Sequence, residues 1–234
     1  MSRVQQDFDR LALLDAEGWT HNNHYHDFLI RSVPKNCRNA LEIGCGTGAF
    51  ARSLAECADH VFAIDLSTEM IRVARSRSAN VTNVEFEMAD ANSWPFPLDH
   101  FDCIASIATL HHLNTVEMLK RMKGSLTVGG TLILLDLFEP ERNLIKLSGI
   151  RDSLLNILAV SVSGGLRLFH NGRLNPPREV QVAWEAHGKH DHYLSMKEVR
   201  KLCKEVLPDA RVAQHLLWRY SIVWQKPASH PGHL

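Results

Sequence analysis

The chain has 234 residues, which suits one large α/β domain or two small domains. Hydrophobic residues make up 45% of it, and lysine plus arginine equal aspartate plus glutamate at 26 each. The resulting net charge of zero argues against the basic surface of a protein that binds nucleic acid or anionic lipid. The 5 cysteines form no C-x-x-C pair, which favours reduced thiols over disulfides or a zinc site.

The terminal and apolar segments favour a cytoplasmic protein. The first residues are polar and show no apolar signal segment. The longest apolar-leaning run, 154–162, contains Asn156 and Ser161 and is too short to span a bilayer. We therefore expect a cytoplasmic location and no membrane partner.

Short apolar runs alternate with amphipathic stretches from residue 39 onward. Before that point the pattern is irregular, with one predicted helix over 22–32 that Pro34 would stop. The predicted strands are then 39–43, 60–65, 84–88, 101–107 and 131–138. The predicted helices are 49–58, 67–76 and 115–126, the last of them ended by Gly129-Gly130. This alternation implies parallel strands, right-handed crossovers and helices on both faces of the sheet.

The C-terminal part departs from this alternation. A helix is predicted over about 142–160, and a loop rich in glycine, proline and asparagine follows it. Another helix is predicted over 195–207. Two strands, 210–217 and 219–226, then follow with almost no loop between them, which suits an antiparallel hairpin.

A glycine-rich loop follows the first predicted strand and opens a helix. Gly44, Gly46 and Gly48 would let the backbone turn sharply and approach a ligand closely. Glu42, just before them, would repel the pyrophosphate of a dinucleotide and attract an ammonium or sulfonium charge. The loop therefore favours S-adenosylmethionine over a nicotinamide dinucleotide, unless Glu42 is an ordinary solvated residue at a strand end.

Carboxylates end the next two predicted strands. Asp65 could accept hydrogen bonds from both hydroxyls of a ribose, or it could simply cap the helix that begins near Ser67. Asp90 could accept a hydrogen bond from the adenine amine while the N–H of Ala91 donates to a ring nitrogen. The alternative for Asp90 is a side-chain turn that starts a loop.

Several segments, in order, resemble the motifs of class I S-adenosylmethionine-dependent methyltransferases, in the form common among small-molecule enzymes. They are LEIGCGTG at 41–48, AIDLS at 63–67 with Met70, ADA at 89–91, FDCIAS at 101–106 with LHHL at 110–113, and GGTL at 129–132. The similarity covers about residues 39–138. It implies a Rossmann-like, seven-stranded, mostly parallel sheet of order 3-2-1-4-5-7-6, with strand 7 antiparallel and helices on both faces.

The resemblance also implies the cofactor, S-adenosyl-L-methionine, and the residues that hold it. The glycine loop would receive the methionine part, Asp65 the ribose, and Asp90 with its neighbours the adenine. The expected cofactor-binding residues are Glu42, Gly44, Cys45, Gly46, Gly48, Asp65, Leu66, Met70, Asp90, Ala91, Ser106 and Ala108. Relatives often cover the cofactor with an N-terminal helix, so Trp19 or Tyr25 could do so here, simple core packing being the alternative.

The segments predict one domain over residues 1–234. Its parts are an N-terminal cap (1–38), a cofactor-binding core (39–138), a lid or substrate insertion (139–193), a C-terminal helix and hairpin (194–226) and a tail (227–234). The insertion follows the fifth strand, and ligands bind beyond the carboxyl ends of strands in open α/β sheets. The alternative to a lid is an added surface helix with a long connection.

Methyl transfer needs no diagnostic catalytic side chain, because alignment of the acceptor with the S–CH3 bond supplies much of the acceleration. A general base is needed only when the acceptor carries a proton. The candidates are His111 and His112 after the fourth strand, and then His187, His190 and His192; a structural histidine bonded to the backbone is the alternative.

The residues of the insertion are candidates for the substrate wall. Trp184 and His187 are expected there, together with Trp19 and Tyr25 of the N-terminal cap. The run 187–193 contains metal-ligand residue types, but no further ligand set is evident, so no metal is expected.

The sequence favours methyl transfer to an oxygen, nitrogen or carbon of a small molecule. An enzyme that methylates RNA or protein is an alternative, although no basic face and no Asn/Asp-Pro-Pro-Tyr motif follows strand four. A nicotinamide oxidoreductase is opposed by Glu42. A non-catalytic cofactor-binding protein remains open, and nothing indicates the oligomeric state.

Overall fold

The computed structural model describes residues 2–14, 18–140, 147–189 and 191–228. One seven-stranded sheet of order β3-β2-β1-β4-β5-β7-β6 runs through these residues. Its strands are β1 (Cys37–Ile43), β2 (Ala58–Asp65), β3 (Val84–Met88), β4 (Phe101–Ile107), β5 (Leu126–Leu137), β6 (Arg211–His215) and β7 (Arg219–Gln225). The first five pair in parallel, and β7 is antiparallel to both β5 and β6. The predicted strand order and the antiparallel seventh strand are confirmed.

Eight helices surround the sheet in the described residues, and some of them begin at a side chain that caps them. They are α1 (Arg3–Leu14), α2 (His26–Ile30), α3 (Ala49–Ala55), α4 (Thr68–Arg77), α5 (Thr115–Ser125), α6 (Leu147–Asn171), α7 (Arg178–Gly188) and α8 (Met196–Val206). Ser67 accepts a hydrogen bond from Met70 N at the start of α4, as the sequence predicts. Ser195 and Glu198 form a reciprocal capping box at the start of α8.

Alternate residues of the central strands face two separate apolar layers. On β1, Leu41 belongs to the cluster that includes Leu119 of α5, whereas Ala40 belongs to the cluster that includes Leu54 of α3. Burial on both faces explains why the central strands read as nearly continuous apolar runs. The parallel strands end at one edge of the sheet, which is where ligands bind in open α/β folds.

The N-terminal helix α1 was missed by the sequence analysis, which treated this segment as irregular. Val4, Phe8 and Leu11 have helical spacing, so the signal was present. Leu11 packs with Met70 of α4 and Ala183 of α7, which places α1 over both helices.

The glycine pair was assigned the wrong role. Helix α5 ends at Ser125 and β5 begins at the next residue, so Gly129 and Gly130 lie inside the strand. The pairing of β4 with β5 shifts register between Phe101 and Cys103, and Gly129 has a φ of 80°. The glycines therefore allow an irregularity within the strand rather than ending the helix.

Helix α6 is longer than predicted. It continues to Asn171, and Ser161 donates its hydroxyl to Ile157 O within the helix. Its segment Ser153–Asn171 is long and apolar enough to cross a membrane by length and composition alone, with 11% of that window buried. The expectation that no apolar run reaches that length was therefore wrong. The predicted start of this helix at 142–146 and the predicted tail from 229 onward lie outside the described residues.

Helix α6 is anchored to the N-terminal segment and to the hairpin. The Nε2 atom of His21 lies 2.7 Å from Ser163 Oγ, and Trp19 exchanges two hydrogen bonds of 2.9 Å with the Asn171 side chain. Trp218 Nε1 donates to Asn156 Oδ1 at 2.7 Å. Burial, followed by the charges of Arg219, Arg167 and His24, lowers the pKa of His21 from 6.5 to about 4.

We predict that His21 makes the protein less stable in acid. Because His21 stays neutral in the folded state while the unfolded chain takes up a proton below 6.5, stability is lost as the pH falls from 6.5 towards 4. The variant His21→Gln keeps a hydrogen-bonding side chain beside Ser163 but cannot titrate. Its melting temperature should fall less steeply over this pH range than that of the parent protein.

The exposed His60→Gln variant is the control, because His60 is not among the groups that shift the pKa of His21, and its pH profile should match that of the parent. Parallel profiles for His21→Gln and the parent would contradict the prediction.

Candidate active site

The glycine loop needs its glycines for different reasons. Gly44, Gly46 and Gly48 have φ values of 74°, 52° and 77°, a region that favours glycine. A Cβ on Gly44 would lie 2.0 Å from Thr109 Oγ1, and one on Gly48 would lie 2.9 Å from the Phe86 ring. A Cβ on Gly46 would meet nothing within 4 Å. Gly46 therefore presents bare backbone to open space, which suits the close approach of a ligand.

Asp65 ties the loop to the end of β2. Its Oδ2 accepts a hydrogen bond of 2.8 Å from Gly46 N, and its Oδ1 accepts one of 2.8 Å from Ser67 N. The carboxylate therefore stabilises both the glycine loop and the turn before α4. Burial raises the pKa of Asp65, and the two backbone hydrogen bonds partly offset that effect.

Glu42 is buried, with 2% of its surface exposed, so it is not a solvated residue at a strand end. Its Oε2 atom has no hydrogen-bond partner among the described residues. Burial first, and the nearby negative charge of Asp65 second, raise the pKa of Glu42 well above its ordinary value. A buried acceptor without a donor is unfavourable, and a cationic group beside it would remove that penalty.

The predicted adenine residues lie at the ends of β2 and β3. Ala89 N donates to Asp65 O at 2.9 Å, which brings the two strand ends together. Asp90 is exposed, and its Oδ1 accepts hydrogen bonds from the backbone and side chain of Asn92. Asp90 therefore forms the side-chain turn that the sequence offered as the alternative to adenine binding. The Oδ2 atom of Asp90 takes no part in this turn. Ala91 is buried beside this turn, and Leu66 is half-buried.

The chain after β4 bends back over the sheet edge. Ser106 Oγ donates to Ile43 O at 2.9 Å, and Ala108 N donates to Leu135 O at 2.7 Å. Ala108 has a φ of 50°, which is strained for a residue with a side chain. Together these contacts join the ends of β1, β4 and β5 and direct the chain towards the two histidines.

His111 is held by a buried carboxylate. Its Nδ1 lies 2.6 Å from Asp136 Oδ1, and its backbone N donates to Asp136 Oδ2 at 3.0 Å. Asp136 lies near the end of β5 with a side chain that is almost fully buried. Sequence reasoning missed Asp136, although a lone acid within the apolar run LILLDL is a signal that calls for a partner.

Asp191 of the insertion lies among three imidazoles. One of its oxygens is 3.6 Å from His112 Nδ1, and the other is 3.9 Å from His111 Nε2 and 3.8 Å from His187 Nε2. Tyr193 OH donates to Asp191 Oδ2 at 2.9 Å. Burial, and then the charge of His111, lowers the pKa of His112 to about 4. The sequence analysis did not select Asp191, because its partners come from distant parts of the chain.

These groups line a cavity of about 220 Å³. Helix α1 helps to close it, since the Phe8 ring contacts the rings of His112 and His187 at 5.6 and 4.6 Å between centroids. The lining residues are Arg3, Val4, Asp7, His111, His112, His187, Asp191 and His192. We call this the histidine cavity.

The predicted substrate residues do not all meet there. His187 lines the cavity, and Trp184 lies at its edge, half-exposed, with its ring 5.8 Å from that of His187. Tyr25 packs elsewhere and donates to Leu216 O at 2.5 Å, while Trp19 stacks on His170. The helix that covers the sheet edge beside the cavity is α1, and His190 lies outside the described residues.

Comparisons with known proteins agree with this arrangement. Residues 40–130 match the family described as a methyltransferase domain. An uncharacterised methyltransferase of Mycobacterium bovis is 28% identical over 89% of this chain and 98% of its own length. The ubiquinone/menaquinone biosynthesis C-methyltransferase of Pseudomonas syringae pv. syringae is 33% identical over 45% of this chain and 44% of its own.

A solved structure shares the architecture. The N-methyltransferase NodS from Bradyrhizobium japonicum, in complex with S-adenosyl-L-homocysteine, aligns with a TM-score of 0.64 at 16% identity. The alignment covers 97% of this chain and 100% of that one. The sheet order, the glycine loop and these matches define an enzyme that transfers methyl groups. The chain is similar to S-adenosylmethionine-dependent methyltransferases in sequence over residues 40–130 and in fold along nearly its whole length.

We predict that Glu42→Gln stabilises the protein when no ligand is present. Because the folded state raises the pKa of Glu42, ionisation of this residue costs stability at every pH above its ordinary value of 4.5. The neutral variant avoids that cost, so its melting temperature at pH 7 should be higher. Each kcal/mol gained corresponds to roughly 2–4 °C.

The gain should shrink as the pH falls towards 4, where Glu42 is protonated in both states. The exposed Glu56→Gln variant controls for a general charge effect and should change little. A lower melting temperature for Glu42→Gln at pH 7 would contradict the buried-charge interpretation.

Proposed function

We propose that this enzyme transfers the methyl group of S-adenosylmethionine to an oxygen, nitrogen or carbon of a small molecule held in the histidine cavity. The observation that carries the proposal is the pair of carboxylates around the open backbone of Gly46: Glu42, which is buried, and Asp65, which is half-buried. This pair favours a ligand that joins a positive charge to a nucleoside. The histidine cavity lies at the same edge of the sheet.

The cofactor would use groups that are already in place. The unpartnered Glu42 Oε2 would face positive charge in the methionine part of the cofactor, such as its ammonium group. Asp65 accepts one hydrogen bond on each oxygen, so both oxygens keep a lone pair for the ribose hydroxyls. Asp90 and Ala91 would frame the adenine. These assignments agree with the motif order and with the open space beside Gly46.

The transfer itself is an in-line displacement. The acceptor atom attacks the methyl carbon as the S–CH3 bond breaks, and its electrons go to sulfur to leave S-adenosylhomocysteine. The contribution of the protein is alignment in a site that excludes water. Ser106 and Ala108 fix the chain where the acceptor must approach, and His111 and His112 supply the polar wall behind them. Whether either histidine takes a proton depends on the acceptor.

A small acceptor fits the surroundings better than a macromolecule. The side chains of His111, His112 and Asp191 are each 10% exposed or less, which leaves little surface for an RNA or protein chain. The net charge of zero supports the same choice. The relatives are named as C- and N-methyltransferases, so the methylated atom stays open. We place the enzyme in the cytoplasm.

We predict that Asp65→Ala weakens the binding of S-adenosylmethionine by about 1–3 kcal/mol, because the ribose hydroxyls lose their acceptor. Isothermal titration calorimetry measures the change. The control is Asp59→Ala, an exposed residue of the same strand. Unchanged affinity in Asp65→Ala would remove the ribose role, and absence of binding heat in the folded parent would reject the cofactor.

Turnover tests the acceptor class. With radiolabelled S-adenosylmethionine, we expect label to move to members of a panel of small phenols, quinols and amines. Label that appears only in RNA or protein would contradict the small-molecule proposal. Cofactor binding without transfer to any of these acceptors would favour a non-catalytic protein.

A further inference from the structure

We propose that His111, His112 and Asp191 bind a divalent transition-metal ion of the zinc type inside the histidine cavity. Each residue offers one ligand atom, and these atoms all lie within 4.8 Å of one another. The sequence analysis expected no metal because no ligand set is visible along the chain. The fold creates the set by bringing the turn after β4 against the loop before α8.

The spacing of the ligand atoms fits a shared ion better than direct hydrogen bonds. The His112 Nδ1 and His111 Nε2 atoms lie 3.6 and 3.9 Å from the oxygens of Asp191, beyond the reach of a hydrogen bond. Tetrahedral ligands about 2.1 Å from one ion lie roughly 3.4 Å apart. The two imidazole–carboxylate distances exceed this spacing by a few tenths of an ångström, and the three ligand atoms, which lie within 4.8 Å of one another, would move closer together around an ion.

Asp136 and Tyr193 contact the proposed ligands and orient them as the neighbours of ligands do in metal sites. The Nδ1 atom of His111 lies 2.6 Å from Asp136 Oδ1, and the proton of this hydrogen bond belongs to the imidazole when Asp136 is a carboxylate. The lone pair of His111 is then on Nε2, which faces Asp191. Tyr193 OH donates to Asp191 Oδ2 and fixes the acidic ligand. A carboxylate behind a ligating histidine is the usual support of a zinc site.

The ligand types select the class of ion. Two imidazole nitrogens and one carboxylate oxygen suit Zn²⁺, Co²⁺ or Ni²⁺, whereas Mg²⁺ and Ca²⁺ prefer oxygen ligands. The Nε2 atom of His187 lies 3.8 Å from the same carboxylate and is near enough to support the site. Three protein ligands leave a coordination position for a molecule in the cavity.

The role of the ion rests on the proposed function. An acceptor oxygen or nitrogen that binds the open position would be oriented and would lose its proton more readily, since a bound metal lowers the pKa of its ligands. The enzyme would therefore prefer acceptors that carry a metal-binding oxygen or nitrogen at or beside the methylated atom. Binding of the ion itself does not depend on methyl transfer.

Titration with Co²⁺ tests the site directly in the full-length, tag-free protein. We expect one equivalent to bind, with the visible absorption of a low-coordinate cobalt ion that has imidazole ligands. Equilibrium dialysis with metal analysis gives the affinity. The Asp191→Asn and His112→Ala variants should each lose about tenfold in affinity or more.

The His192→Ala variant is the matched control, because His192 lines the same cavity but is not one of the three ligands. It should bind Co²⁺ as the parent does. An equal loss in His192→Ala, or unchanged binding in Asp191→Asn and His112→Ala, would overturn the proposal. Should these variants fail to fold, the parent spectrum decides alone: a spectrum without imidazole ligation overturns the site.

The two proposals fail differently. Methyl transfer that persists at full rate after metal removal, in a protein that binds no Co²⁺, would overturn the metal site and leave the proposed function standing. A protein that binds Co²⁺ at these residues but gives no binding heat with S-adenosylmethionine would overturn the proposed function and leave the metal site standing.

Discussion

The placement of two carboxylates, the buried Glu42 and the half-buried Asp65, beside one glycine loop is the constraint on which the rest of the site depends. Glu42 lies on β1 and Asp65 on the neighbouring β2, so parallel pairing puts both acids at the same edge of the sheet. Asp65 uses its charge to hold Gly46 and the turn before α4. Among the described residues no donor reaches Glu42 Oε2, and this buried acceptor would favour a ligand that brings positive charge to the loop.

A second group of charges lies beyond β4 and β5. Asp136 holds His111 from the strand side, and Asp191 approaches from the insertion, so the histidine cavity has polar walls from separate parts of the fold. Helix α1 covers the cavity on another side through Phe8. The fold thus places a site for a cationic nucleoside and a polar cavity along one edge of the same sheet.

The sequence predicted the alternating strands and helices of the sheet. It did not predict the features that depend on contacts between distant residues. The strand order follows from the resemblance of the ordered motifs to a known family, and the capping of α4 by Ser67 follows from local pattern. Asp191 was not selected, because two of the three imidazoles beside it, those of His111 and His112, lie far from it in the sequence. The length of α6 was missed because its C-terminal part is held by the distant N-terminal segment, where Trp19 exchanges hydrogen bonds with Asn171. Asp136 could have been predicted to need a buried partner, because it is a lone acid in an apolar strand.

The most direct measurement of cation selectivity is calorimetric titration of the parent protein with S-adenosylmethionine and, separately, with NAD⁺. Both ligands contain adenosine, but one continues into a sulfonium and an ammonium and the other into a pyrophosphate. We predict saturable binding of S-adenosylmethionine and no binding heat with NAD⁺ at the same concentrations. Equal binding of the two, or binding of NAD⁺ alone, would show that Glu42 does not select the ligand.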